Sequence, residues 1–389
     1  MIAESRNCRQ AAEQPAWGLL VVFASVCMAW VLSGSPANAQ EGYPQAVERY
    51  LARLYDVREQ RLAFRADYPG GFVRWQKDAR VALCERVGLA KIAASVRDHK
   101  PAVELGDTED LGEFTRQRGI METEHDVRIP FWILRPKGEG PFPLGLFPHG
   151  HDRRGYNTTA GVYSDEAHRK KSIAEDRDVA VQAAKLGFIA IAPAVRGLSV
   201  DGVPDLNARH GNRPCRSQLM HCLAVGRTAM GERVWDMQRF LDWATTLPHV
   251  DTRHVLMMGN SGGGMVTLFT AACDERITVA VPSCSFAPTA REDGYLFHCD
   301  CNMVPGILDF GGLPGVAGLI APRHLLAVNG RKDPLFTAAD VERGNDTVRK
   351  IYTAADCPSH FAHHWGTEGH RFYSDLMWPF VMASLETNR

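Results

Sequence analysis

From about residue 112 to the C-terminus, short apolar runs alternate with amphipathic stretches. Leu144-Gly145-Leu146-Phe147, Phe188-Ile189-Ala190-Ile191-Ala192, Val255-Leu256-Met257-Met258, Ile277 to Val281 and Leu325 to Val328 are almost free of polar residues. That is the pattern of strands buried on both faces. Phe361 to Trp365 can supply a last strand. Between these runs, Val179 to Leu186 reads as a helix. Glu232 to Thr245 places Val234, Met237, Phe240 and Leu241 on one helical face. Upstream, Glu113 to Met121 and Val127 to Leu134 read as two strands joined near residues 122–126. Strands alternating with helices predict an α/β fold, a mostly parallel central sheet covered by helices on both faces. Ligands of such sheets bind at the carboxyl ends of the strands, so the chemistry is expected just after the apolar runs.

The region before residue 111 has a different character. Arg6 and Arg9 precede an uncharged apolar stretch from Ala16 to Leu32, and Ser33 to Pro36 break it. Ala37-Asn38-Ala39 then offers the small residues a signal peptidase reads. Residues 1–39 are expected to be a signal peptide that exports the chain to the periplasm or medium, with retention as a membrane anchor the alternative. Val47, Tyr50, Leu51 and Leu54, and then Val73, Ala79, Leu83 and Val87, recur at helical spacing. Residues 40–110 are therefore expected to be a helical extension packed on a catalytic domain at 111–389.

Charge adds an exclusion. The net charge of −1, with no clustered basic excess, argues against nucleic acid as a partner. Export makes the cysteines legible. Of ten, Cys8 and Cys27 lie in the signal segment, leaving Cys84, Cys215, Cys222, Cys273, Cys284, Cys299, Cys301 and Cys357. An even count in an oxidising compartment predicts at least one disulfide, with the pairing open. Cys299 and Cys301 are too close in sequence to bridge each other easily and are expected to pair elsewhere. His221 and His298 lie beside cysteines, but no paired C-x₂-C spacing accompanies them, so no metal is expected.

The strongest chemical signal is Gly259-Asn260-Ser261-Gly262-Gly263-Gly264, directly after the Val255–Met258 run and before the helical Met265 to Phe269. A serine raised on a sharp strand-to-helix turn needs small neighbours, and the turn presents its hydroxyl at the top of the sheet. The hydroxyl needs a base, and the base needs a carboxylate to fix its tautomer. Asp333 follows the Leu325–Val328 strand in Asn329-Gly330-Arg331-Lys332-Asp333-Pro334, with Asp356 and Glu368 as fallback acids. His370, in the loop beyond the last strand, is the expected base. His363 and His364 lie within that strand and point to opposite faces.

These residues resemble the α/β-hydrolase superfamily over roughly residues 110–389. The nearest likeness is to acetyl xylan esterase-like hydrolases and to the catalytic domains of prolyl-oligopeptidase relatives. Supporting segments are His149-Gly150-His151, Ala192 to Gly197, and Val234 to Asp242 followed by Pro248-His249-Val250-Asp251. The resemblance implies the order Ser261, Asp333, His370 for a catalytic triad. It also implies an oxyanion hole made by the amides of Gly262 and His151. A metal role for His149 or His151 is disfavoured, because no third ligand is adjacent. Gly262 stands where deacetylases of this kind commonly carry glutamine. Leu198 stands where many have a polar residue or glycine. Arg196 is expected to brace its loop rather than clamp a substrate. Leu198 to Gly231, with Cys215 and Cys222, reads as an insertion at the pocket rim, closed by its own disulfide. Phe286 to Leu308 is expected in the pocket wall, with Phe286, Phe297, Met303 and Trp365 as candidate apolar lining.

The expected activity is cofactor-free hydrolysis of carboxylic esters through an acyl-enzyme. The expected substrates are short-acyl, acetyl-type esters of carbohydrates or other polar alcohols. Alternatives are an exopeptidase-like serine hydrolase and a catalytically silent binding protein on the same fold.

Overall fold

The long apolar runs become the middle of a single large sheet. The computed structural model describes residues 45–56, 60–199, 213–291, 294–296 and 298–387. The expected signal peptide lies outside them. The sheet's strands are β1 (Ala102–Asp110), β2 (Phe114–Glu124), β3 (Val127–Pro136), β4 (Phe142–Leu146), β5 (Ile189–Pro193), β6 (Val250–Asn260) and β7 (Val279–Ser283). There follow a short hairpin of β8 (Ala290–Arg291) and β9 (Gly294–Tyr295), then β10 (His324–Gly330) and β11 (Phe361–Gly366). Nine of them share one sheet in the order β1-β2-β3-β5-β4-β6-β7-β10-β11. The pairings β1 with β2, β2 with β3 and β3 with β5 are antiparallel; from β5 to β11 every neighbouring pair is parallel.

Burial follows the pattern of the sequence. Every residue of β5, β7 and β10 is buried, as is β6 from His254 onward. The helix Gly262–Cys273 runs directly out of β6 and is buried from Gly262 through Ala272. Helices Val179–Lys185 and Ala229–Ala244 form where the apolar periodicity places them. Thr228 caps the second, its side chain accepting a hydrogen bond from the Gly231 amide.

The compact unit carrying this sheet spans residues 48–389. Much of the N-terminal extension therefore belongs to the same body as the catalytic core. Helix Gly71–Val87 buries Trp75, Ala79, Leu83 and Val87 along one face. From that helix Arg80 Nε donates to the Ala272 carbonyl at 3.1 Å, at the end of the helix that follows Ser261. The helical extension expected to reach residue 110 ends sooner, because residues 102–110 form β1. Eight of its nine residues are exposed and only Val103 is half-buried, so neither face leaves an apolar period to read.

A buried ionic cluster ties the antiparallel side to the helical layer. Arg196, after β5, pairs with Asp236 at 2.6 and 2.7 Å, with Glu124 at 2.7 Å and with Glu232 at 3.3 Å. Arg227 reaches Glu124 and Glu232 at 2.8 and 3.1 Å. Arg196 is thus the structural brace expected from the sequence. Breaking a buried network by removing one partner leaves its counter-charges uncompensated. Arg196→Met is expected to lower the unfolding free energy by about 3–5 kcal/mol in urea titrations. A loss below about 1 kcal/mol would show that water takes over the arginine's role.

Candidate active site

The last residue of β6 is Asn260, and the next residue departs from strand geometry. Ser261 has φ 57° and ψ −123°, and the helix begins at Gly262. A non-glycine residue there stores roughly 1–3 kcal/mol of strain that its surroundings must hold. The Ser261 amide donates to Ser283 O at 2.8 Å, and Ser261 O accepts from the Met265 amide at 3.0 Å. Gly263 lets the loop after β4 approach, since a Cβ there would lie 2.1 Å from Pro148 O.

That loop carries the expected oxyanion donors' second half. A Cβ on Gly150 would meet Ser261 Cβ at 3.1 Å, and one on Gly262 would meet the His151 ring at 3.0 Å. The loop and the start of the helix therefore lie against each other at the serine. The Gly262 amide, in the first turn, has no intrahelical partner. His149 anchors the loop. It is 4% exposed, its Nε2 accepts from the Val195 amide at 3.0 Å, and its Nδ1–H donates to Gly150 O at 2.7 Å. The bond from the Val195 amide requires the neutral ring, and burial pushes His149 down to about 4. No local pattern announces this anchoring role; it depends on β5 ending beside β4.

The expected acid and base lie in the loops after β10 and β11. Asp333 Oδ2 lies 2.7 Å from His370 Nδ1, and Asp333 Oδ1 accepts from the Leu335 amide at 3.1 Å. The carboxylate side chain is 4% exposed, whereas the imidazole is 30% exposed and reaches the cleft. Burial raises the Asp333 carboxyl, but the hydrogen bond and charge of His370, with the Leu335 amide, outweigh it. Its net shift is downward, so it is ionised at neutral pH. This bond assigns the proton of His370 to Nδ1 and leaves Nε2 to face chemistry. Buried Cys284 donates to Arg371 O at 3.3 Å, and burial pushes its thiol up to about 11.

The two loops are fastened together. Lys332 N donates to Glu368 O at 3.0 Å, and Lys332 Nζ lies 2.9 Å from the Glu368 carboxylate. A Cβ on Gly330 would sit 2.2 Å from Gly369 O, so only glycine lets the acid loop lie this close to the base loop. Asn260 Nδ2 spans to Arg371 O at 3.1 Å, joining the serine turn to the same segment.

The fallback acids are elsewhere. Glu368 is engaged by Lys332, and Asp356 sits with φ 57° after the helix Ala338–Ala354. His363, in β11, bonds Asn329 Oδ1 at 3.2 Å and is pushed down to about 4 by burial.

Ser261 stands where two cavities meet. A cleft of about 400 Å³ holds Ser261, Asp333 and His370 together with Asp152, Thr158 and Arg177. A smaller one of about 250 Å³ begins at Ser261 and Gly262 and is lined by Met265, Ser285, His298 and Phe336. The expected apolar wall is replaced in part. Phe286 is buried in the core and Met303 lines other cavities, while Trp365 bonds Glu342 at 2.9 Å. Phe297 lies outside the described residues. So does part of the expected insertion, residues 200–212.

The cysteines depart from expectation. Cys215 and Cys222 both lie on the helix Pro214–Ala224 and are free thiols. Seven residues of helix separate them by about 10 Å, too far for a bridge, so they do not close the insertion. Cys215 instead joins Cys299, Cys301 and His151, whose ligand atoms all lie within 4.8 Å of one another. Sequence spacing hid this group, because its members come from three distant segments.

No family model matches the chain. It is similar to YtaP, a protein of Bacillus subtilis (strain 168) assigned as a hydrolase. The identity is 24% over 283 residues, covering 70% of this chain and 89% of that one. Among solved structures it resembles a protein of Bacteroides fragilis NCTC 9343 assigned as an acetyl xylan esterase. The TM-score is 0.66 at 17% identity, over 89% of this chain and 97% of that one. A glucuronoyl esterase from Solibacter usitatus matches with a TM-score of 0.60 at 14% identity, over 84% and 97% of the two chains. The strand order, the strained serine turn and these likenesses define the fold as that of the α/β-hydrolases.

The His149 anchor makes a pH prediction. Its folded-state value, about 4, lies below the ordinary 6.5. As pH falls from about 6.5 to about 4, the unfolded chain takes up a proton that the folded chain refuses. Stability is full above that window, falls through it, and levels off below it, by up to about 3 kcal/mol for this group. His149→Gln, which can keep both hydrogen bonds without titrating, is expected to flatten part of the loss in urea titrations at pH 7, 5.5 and 4. Equal losses in both proteins would show that His149 is not the group responsible.

Proposed function

We propose that this chain is an exported serine carboxylic-ester hydrolase that works through an acyl-enzyme. Its substrates would be short-acyl, acetyl-type esters of carbohydrates or other polar alcohols. The observation carrying the reading is the 2.7 Å bond from His370 to buried Asp333, at a cleft that also holds the strained Ser261. His370 Nε2 takes the Ser261 proton as Oγ bonds to the ester carbonyl carbon. The Gly262 and His151 amides stabilise the resulting oxyanion. Collapse breaks the bond to the alcohol, which leaves with the proton from His370. Water then attacks the acyl-enzyme by the same route, returning the serine and freeing the acid, with Asp333 ionised throughout.

Shape and polarity support the substrate class. The larger cleft offers Asp152, Thr158, Thr159 and Arg177 to a hydroxylated alcohol, and the smaller cavity suits a compact acyl group. Two of the structural likenesses carry names of carbohydrate-ester hydrolases, which agrees with this reading. Export is supported by Arg6, Arg9, the apolar Ala16–Leu32 stretch and Ala37-Asn38-Ala39.

A fluorophosphonate probe is expected to label Ser261, and Ser261→Ala is expected to abolish both labelling and ester hydrolysis in a folded protein. His370→Ala and Asp333→Asn should each cost several orders of magnitude in turnover, because the three act as a unit. Near-native turnover by folded Ser261→Ala would overturn the triad.

Acyl preference is read from kcat/KM on 4-nitrophenyl acetate, butyrate and octanoate. The expected order declines with length, since each methylene can shift discrimination by roughly 1–3 kcal/mol. A steady rise toward octanoate would refute the short-acyl assignment.

A further inference from the structure

Beside the oxyanion loop, His151 Nε2 and the sulfurs of Cys215, Cys299 and Cys301 converge within 4.8 Å of one another. His151 Nε2 is 3.3 Å from Cys301 Sγ, and Cys301 Sγ is 3.5 Å from Cys299 Sγ. For Zn–S near 2.3 Å and Zn–N near 2.0 Å, a tetrahedron has S···S edges of about 3.8 Å and N···S edges of about 3.5 Å. The two separations therefore approximate the edges of a zinc tetrahedron.

A second observation points the same way. Arg233 is wholly buried, and among the described residues its recorded partners are carbonyl, amide and sulfur atoms, with no carboxylate. Its Nε donates to Arg196 O at 3.0 Å. Its Nη1 donates to Cys301 O at 3.2 Å, Cys301 Sγ at 3.4 Å and Asn302 Oδ1 at 3.0 Å. Nη2 has no partner. A buried guanidinium without a counter-charge is costly. Three thiolates and one divalent cation carry a net charge of −1, which matches the arginine.

We infer that His151, Cys215, Cys299 and Cys301 bind a zinc ion in a closed, four-ligand structural site. Soft thiolates with one imidazole favour zinc over the oxygen-seeking divalent cations. Four protein ligands leave no open position, so the ion is not a Lewis acid for the ester. Its effect is mechanical. It joins the helix Pro214–Ala224, the turn around Asp300 and the loop after β4, at the residue whose imidazole lies against Gly262. Arg216 and Asp300, paired at 2.5 Å, link two of the same segments. The consequence for turnover rests on the oxyanion role proposed above; the metal assignment does not.

The test uses the full exported chain purified without chelator. Plasma emission analysis is expected to give one zinc per chain. Peptide mapping should find Cys215, Cys299 and Cys301 reduced yet unreactive to N-ethylmaleimide until 1,10-phenanthroline is added. Cys299→Ser should lose the zinc. Stripping is expected to lower 4-nitrophenyl acetate turnover on the order of 10²-fold, with recovery on adding zinc alone. A chain without zinc whose three thiols alkylate freely would overturn the site, as would a disulfide mapped to any of them. Zinc bound in a chain that hydrolyses no ester would uphold the site and defeat the esterase reading. Unchanged turnover in the stripped, folded enzyme would overturn the coupling to the oxyanion loop.

Discussion

The backbone of Ser261 is the constraint around which the rest is arranged. A φ of 57° outside glycine is unfavourable, and it persists because both sides of the turn are immobilised. Upstream lies a strand buried between two parallel neighbours; downstream lies a helix with almost no exposed residue. The loop after β4 closes over the turn, with its main chain within contact of Gly263. Local strain is thus balanced by a large amount of buried apolar surface, most of it far from the cleft.

The same economy governs the partners of the serine. His370 lies in a loop without regular structure, yet it is held from several directions. Asp333 fixes its ring, and Asn260 reaches the neighbouring Arg371 carbonyl. Tyr373 Oη donates to Gly369 O at 2.5 Å, and the Phe372 amide donates to Glu175 O at 3.2 Å. A loop positions a side chain well only when its main-chain groups are tied in this way.

Much of this was legible in the sequence, for a physical reason. Strands buried on both faces must be apolar throughout, so β4, β5, β6, β7 and β10 stood out. Once they were placed, the carboxyl-end rule located Ser261, Asp333 and His370. What stayed hidden depended on distance along the chain or on solvation. β1 is solvated on both faces and shows no period. The anchoring of His149 to the Val195 amide, and the gathering of Cys215, Cys299 and Cys301 at His151, join segments with no shared local pattern. Side-chain chemistry assembled across loops leaves no spacing to read.

The outermost strand β1 bears on how the protein behaves at high concentration. A sheet of nine strands that ends in an exposed edge offers unpaired amide and carbonyl groups to any other extended chain. Here that edge carries Glu104, Asp107, Glu109 and Asp110 within nine residues. Three of them reach basic partners on β2 and β3 or just beyond: Glu104 to Arg128 at 2.7 Å, Glu109 to Arg116 at 2.6 Å, and Asp110 to Lys137 at 2.7 Å. Singly, such exposed pairs stabilise the fold little. Together they surround the free edge with charges that an incoming strand would have to desolvate, so the strand that contributes least to the core guards the chain against aggregation.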